Sequence, residues 1–141
     1  MERHASAVWK GDLKSGKGKI SSESGSISEQ AYGFENRFEN EPGTNPEELI
    51  AAAHAGCYSM ALSNELASAG LNPTSVATKA TVTLEKGDGG FAITKVHLDV
   101  DAKVPGADQT RFDEIANAAK TGCPVSKVLN AEITLTARLD A

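Results

Sequence analysis

The two cysteines of this chain, Cys57 and Cys123, occupy settings that suggest reactive thiols rather than a structural staple. Cys57 lies in a small-residue run with helical grammar, Asn45-Pro-Glu-Glu-Leu-Ile-Ala-Ala-Ala-His-Ala-Gly-Cys-Tyr-Ser-Met60. Cys123 opens a second helical segment, Thr121-Gly-Cys-Pro-Val-Ser-Lys-Val-Leu129. Pro124 suits the first helical position, which makes Cys123 the expected N-cap. There it faces free backbone N–H groups and the positive end of the helix dipole, a setting that lowers a thiol pKa. The alternative is a small capping residue that is cysteine by chance. Cys57 lies about twelve residues into its helix, beyond the first turn where the dipole acts. Buried against alanines it is an inert small hydrophobe with a raised pKa, unless a cation reaches it from elsewhere. As a pair, the two have the chemistry of a peroxide-reducing couple.

His54 precedes Cys57 by three residues on the same helical face and has the chemistry of a base, although a helical histidine among alanines is commonly just packed. His54, Cys57, His97 and Cys123 are also zinc-ligand types, but the short paired spacings of structural zinc are absent, so no metal is expected. A net charge of −5 without a Lys/Arg run argues against nucleic acid. No segment approaches the roughly 20 apolar residues of a membrane span. The N-terminal residues lack the pattern of a secretory signal, so a cytoplasmic setting is expected, where cysteine pairs tend to be catalytic or redox-sensing.

The elements that must position these residues read as one α+β domain over residues 1–141, with no internal repeat or linker. Short strands are expected at residues 6–10 and 17–22, with turns at Gly11-Asp12 and Gly25. Residues 32–38 place aromatics at 32, 34 and 38 and read as an extended segment with one apolar face. The long helix starts at Asn45-Pro46, with Glu47 and Glu48 complementing the dipole, and runs to about Ser68 before Gly70 and Pro73. A capping box of Thr44 with Glu47 is the alternative start. A hairpin follows, turning at Gly87-Asp-Gly-Gly90, and its return strand changes apolar phase near Thr94 or Lys95, the signature of a bulge. An amphipathic helix over residues 108–120, the Cys123 segment and a last strand over 132–139 complete the chain.

Three stretches, Gly43-Thr-Asn-Pro-Glu-Glu-Leu-Ile50, Ala53-His-Ala-Gly-Cys-Tyr-Ser-Met-Ala-Leu-Ser63 and Gly122-Cys-Pro-Val-Ser126, resemble the OsmC/Ohr family of thiol peroxidases. Tyr32-Gly-Phe34, Arg37-Phe38 and Gly90-Phe-Ala-Ile-Thr-Lys95 extend the resemblance over nearly the whole chain and favour the OsmC branch, since the Ohr branch carries its arginine nearer the N-terminus. The resemblance implies an intertwined α+β homodimer, with a long central helix carrying Cys57 and flanking antiparallel β-sheets. It implies reduction of organic hydroperoxides, and less efficiently of hydrogen peroxide. It also implies a dithiol reductant, such as a lipoyl-bearing protein, rather than a bound cofactor. Residue by residue, Cys57 matches the peroxidatic cysteine, Cys123 the resolving one, Arg37 the arginine of the OsmC branch and Glu47 the acid that holds it. A thiol redox sensor or interaction protein without turnover, and a dimer with inert cysteines, are the competing readings.

In that scheme the Cys57 thiolate attacks the peroxide to give a sulfenic acid, Cys123 condenses with it, and a dithiol restores both thiols. An ordinary thiol is already a few per cent ionised at neutral pH, so complete ionisation gains only about ten- to thirty-fold. The larger share is expected from Arg37 orienting the peroxide and stabilising charge as the O–O bond breaks, with Glu47 fixing the guanidinium. Glu47 and Cys57 are ten residues apart, about 15 Å along one helix. A Glu47 that anchors an arginine beside Cys57 is therefore expected to come from a second, antiparallel copy crossing near Ala52. Tyr32, Phe34, Phe38, Tyr58 and Met60 have the character of an apolar collar for bulky peroxides, or of plain core.

Overall fold

The computed structural model describes residues 1–39 and 41–141, which cluster into two compact units, residues 1–49 and 50–141. In the first unit, β1 (Ala5–Lys10), β2 (Lys17–Ser22) and β3 (Gln30–Tyr32) form an antiparallel sheet in that order. The β1–β2 connection turns at Gly11, whose φ of +95° suits a residue without a Cβ, and the Asp12 carboxylate accepts from the Ser15 N–H and hydroxyl.

The extended segment expected over residues 32–38 is corrected by the structure. The strand ends at Tyr32 and a short helix, α1 (Phe34–Phe38), follows Gly33. Phe34 and Phe38 are four residues apart, the helical spacing, and their rings meet at 4.8 Å between centroids. That contact, rather than a strand face, is what the aromatic pattern encodes.

Helix α2 (Pro46–Ser68) begins in this first unit. The Asn45 side chain accepts from the Glu48 N–H at 2.8 Å, and Pro46 occupies the first helical position where a missing N–H costs nothing. Thr44 donates its hydroxyl to Glu48 rather than forming a box with Glu47, so Asn45 is the cap. At the other end the N–H of Leu71 bonds to Leu66 and that of Gly70 to Ala67, with Gly70 at φ +80°, a Schellman stop.

The second unit is built on β4 (Ser75–Gly87), β5 (Gly90–Lys103) and β6 (Glu132–Asp140) in the order β4-β5-β6, with α3 (Gln109–Gly122) and α4 (Pro124–Val128) between the last two strands. The hairpin turns through Asp88-Gly89. The expected bulge is at Thr94: Thr83 pairs with Lys95 and Leu84 with Ile93, leaving Thr94 unmatched. Beyond it Val96, Leu98, Val100 and Ala102 all point into the core.

The antiparallel expectation holds for the first sheet and for β4–β5, whereas β6 runs parallel to β5. The crossover through α3 and α4 is what permits that direction. The core unites this strand face with Tyr58, Leu62 and Leu66 of α2, spaced four apart, and with Phe112, Ile115, Ala116 and Ala119 of α3. Cys123 is part of it, completely buried. Among the described residues, no helix is long and apolar enough to cross a membrane.

Candidate active site

The second unit brings the two cysteines together across 66 positions of sequence. Their sulfurs are 3.2 Å apart, within S–H···S hydrogen-bond distance, and both are free thiols. A disulfide needs a separation of about 2 Å, so little more than an ångström of approach joins them. Cys57 is half-buried on α2, and Cys123 sits at the joint where α3 ends and α4 begins. Its backbone N–H closes α3 on Ala119, and its carbonyl accepts from Lys127 in α4. The expectation that Cys123 is an N-cap ahead of Pro124 is met.

Local electrostatics favour charge on Cys123. Burial works against its ionisation, but the backbone N–H of Ser126, the Cys57 thiol, the Ser126 hydroxyl and the Val125 N–H together hold it below the ordinary thiol range. Burial pushes the Cys57 thiol up, and neighbouring Cys123 pushes it further, opposed only by the Val125 N–H. Among the described residues, no cation contributes to either shift. The pair titrates as a unit, and within one chain these contacts favour charge on Cys123 over Cys57.

The structure pairs His54 with Ser126. The histidine is completely buried and its Nε2 lies 2.7 Å from Ser126 Oγ. Burial holds its pKa below the usual histidine value, which keeps the ring neutral. Ser126 escaped the sequence reading because the two residues are 72 positions apart; the single hint was its place at the end of the Gly122-Cys-Pro-Val-Ser126 run. His97 is held instead between the Thr134 and Thr136 hydroxyls on β6. Among the described residues, no group of three or more His, Cys, Asp and Glu is placed to hold a metal.

The first unit assembles the other two candidates. Arg37, in the last turn of α1, donates from Nε and Nη2 to Glu47 Oε1 at 3.0 and 2.7 Å. Both bonds converge on one carboxylate oxygen, and both residues belong to the same chain. Glu47 is 12% exposed and Arg37 36%, so the pair is partly shielded from water. The guanidinium also lies 5.4 Å from the centroid of the Phe38 ring. Trp9, Leu13, Tyr32, Phe34, Phe38 and Pro46 surround Arg37 in a cavity of about 290 Å³. Of the expected apolar collar, Tyr32, Phe34 and Phe38 are therefore beside the arginine, joined by Trp9 and Leu13, which the sequence reading missed. Tyr58 is core, its hydroxyl donating to the Ala116 carbonyl, and Met60 is exposed on α2.

Residues 38–138 match the family described as OsmC-like protein. Over 135 residues the chain is 58% identical to peroxiredoxin OsmC of Escherichia coli K12, covering 96% of this chain and 94% of the relative. It is 33% identical over 96 residues to the organic hydroperoxide resistance protein OhrB of Bacillus subtilis, covering 67% of this chain and 68% of that one. The crystal structure of that OhrB superposes with a TM-score of 0.71 at 26% identity, covering 96% of this chain and 98% of the other.

Proposed function

Because the chain belongs to the OsmC-like family, we propose that it is a thiol peroxidase reducing organic hydroperoxides through Cys57, with Cys123 as the resolving thiol and Arg37, held by Glu47, as the group that activates the peroxide. The observation that carries this reading is the 3.2 Å approach of one half-exposed and one buried free thiol. A peroxide reaches the first; the second is in place to capture the product before further oxidation.

The Cys57 thiolate attacks one peroxide oxygen, the O–O bond breaks, and the alkoxide leaves as alcohol after taking up a proton. Cys57 then carries a sulfenic acid, which Cys123 converts to a disulfide with loss of water. An external dithiol, such as a lipoyl-bearing protein, reduces that disulfide by exchange. Such a cycle suits a reducing compartment like the cytoplasm. The apolar lining around Arg37 favours a peroxide with a hydrocarbon body over hydrogen peroxide.

Among the described residues of one chain, nothing cationic offsets the burial of Cys57. The Arg37–Glu47 pair, at the start of α2, is the complementary half of the site. A homodimer in which two α2 helices pack antiparallel brings one subunit's Arg37 and Glu47 to the partner's Cys57. In support, the outward α2 face carries Ala52, Ala53, Gly56 and Met60, exposed in the single chain, and the Gly56 position has open space around it. An apolar helix face of that kind calls for a cover. An arginine within a few ångströms of Cys57 reverses the local order of acidity and moves the charge from Cys123 to Cys57.

The test is turnover of cumene hydroperoxide with a dithiol reductant, using wild type, Cys57→Ser and Cys123→Ser, with intact mass after oxidation. Cys57→Ser abolishes the reaction. Cys123→Ser accumulates sulfenic or overoxidised Cys57. Equal activity in all three would remove the mechanism.

A further inference from the structure

The contact between His54 and Ser126 has no part in the peroxide chemistry above. His54, on α2, is completely buried, with Nε2 2.7 Å from Ser126 Oγ on α4. Its Nδ1 is also buried and has no hydrogen-bond partner among the described residues. Ser126 is in turn the residue whose N–H and hydroxyl face the Cys123 sulfur. Ser126 thus neighbours both a titratable ring and a buried thiol.

We propose that His54, acting through the Ser126 hydroxyl, accepts the Cys123 proton as Cys123 condenses with the Cys57 sulfenic acid. The inference rests on the function proposed above and adds a route for the proton in its second step. Cys123 is completely buried, so its proton cannot pass directly to bulk water. A tie between two helices does not require a histidine either. Burying a ring with one nitrogen unpaired costs stability that an amide or an apolar pair avoids. Burial keeps the imidazole neutral, and so able to take a proton.

In the step itself, Cys123 S–H gives its proton to Ser126 Oγ as Ser126 O–H gives its own to His54 Nε2. The Cys123 sulfur uses the freed electron pair to form the S–S bond, and the S–O bond of the sulfenic acid breaks. The departing hydroxide takes the proton back from the imidazolium through Ser126 and leaves as water. Cys57 is reduced from sulfenic acid to disulfide, Cys123 is oxidised from thiol to disulfide, and His54 and Ser126 end unchanged. His54 is a positioning residue, since it meets the reacting sulfur only through Ser126.

The experiment mixes the protein with one equivalent of cumene hydroperoxide, traps sulfenic acid with dimedone at timed intervals, and reads intact mass. Wild type, Ser126→Ala, Ser126→Thr and His54→Gln are compared. His54→Gln retains a side-chain amide to hold Ser126 but has no basic nitrogen. The sulfenic acid is expected to live roughly tenfold longer or more in Ser126→Ala and His54→Gln, with recovery in Ser126→Thr. A solvent deuterium isotope effect on condensation in wild type should shrink in His54→Gln. Disulfide formation at the wild-type rate in His54→Gln would overturn the proposal, as would an isotope effect unchanged by that substitution. If wild type forms neither adduct nor disulfide, the proposed peroxidase function fails instead, so the two failures are distinct.

Discussion

At the scale of single residues, the charge on the thiol pair depends on what stands beside it. Backbone N–H groups of Ser126 and Val125 overcome burial at Cys123, while burial and the neighbouring sulfur hold Cys57 up. Arg37 is the residue expected to reverse that order, and its value lies in the forked pair of bonds that Glu47 accepts. Arg37→Lys keeps a positive charge but loses the fork. The expected result is a fall of roughly a hundredfold in kcat/KM for an organic hydroperoxide. Alkylation of Cys57 across a pH series should change far less, because the charge is retained. His54 gives a second prediction, in stability. Burial lowers its folded pKa below the ordinary 6.5, whereas the unfolded chain keeps that ordinary value. Between the two values the unfolded state binds more protons, so stability falls as pH drops through about 6.5 and is regained as pH rises. Denaturant titrations across that range should show this slope in wild type and lose it in His54→Gln.

At the scale of elements, α2 carries both halves of the proposed site, so its ends and its buried face set the geometry. Asn45→Ala removes the cap on Glu48 N–H and is expected to cost about 1 kcal/mol. Leu62→Ala opens a hole in a completely buried stripe and should cost about 2–5 kcal/mol. Both are read from denaturant midpoints at fixed protein concentration, since association would add to stability. The same helix shows why much of the fold was legible. Asn45-Pro46, the paired glutamates and Gly70 are local signals, as are the hairpin glycines and the phase change that marks Thr94 as a bulge. What escaped was set by distant partners or by a competing period. Phe34 and Phe38 fit an extended face until their fourfold spacing is given weight. The direction of β6 depends on how α3 and α4 carry the chain across the sheet, which no residue of β6 announces. The meeting of Cys57 and Cys123 came from the family resemblance, but Ser126 as the partner of His54 needed coordinates.

At the scale of the whole molecule, the proposed site is shared by two subunits. Arg37 and Glu47 are paired within one chain, and Glu47 stands about 15 Å along α2 from Cys57. The measurement that tests this most directly is activity in heterodimers of Cys57→Ser and Arg37→Ala subunits, purified with two different tags. Each homodimer lacks a complete site. A heterodimer regains one, formed by the thiol of the Arg37→Ala subunit with the arginine and glutamate of the Cys57→Ser subunit. The predicted result is peroxide turnover at about half the wild-type rate per dimer. Heterodimers of confirmed composition, no more active than the Arg37→Ala homodimer, would contradict the shared site.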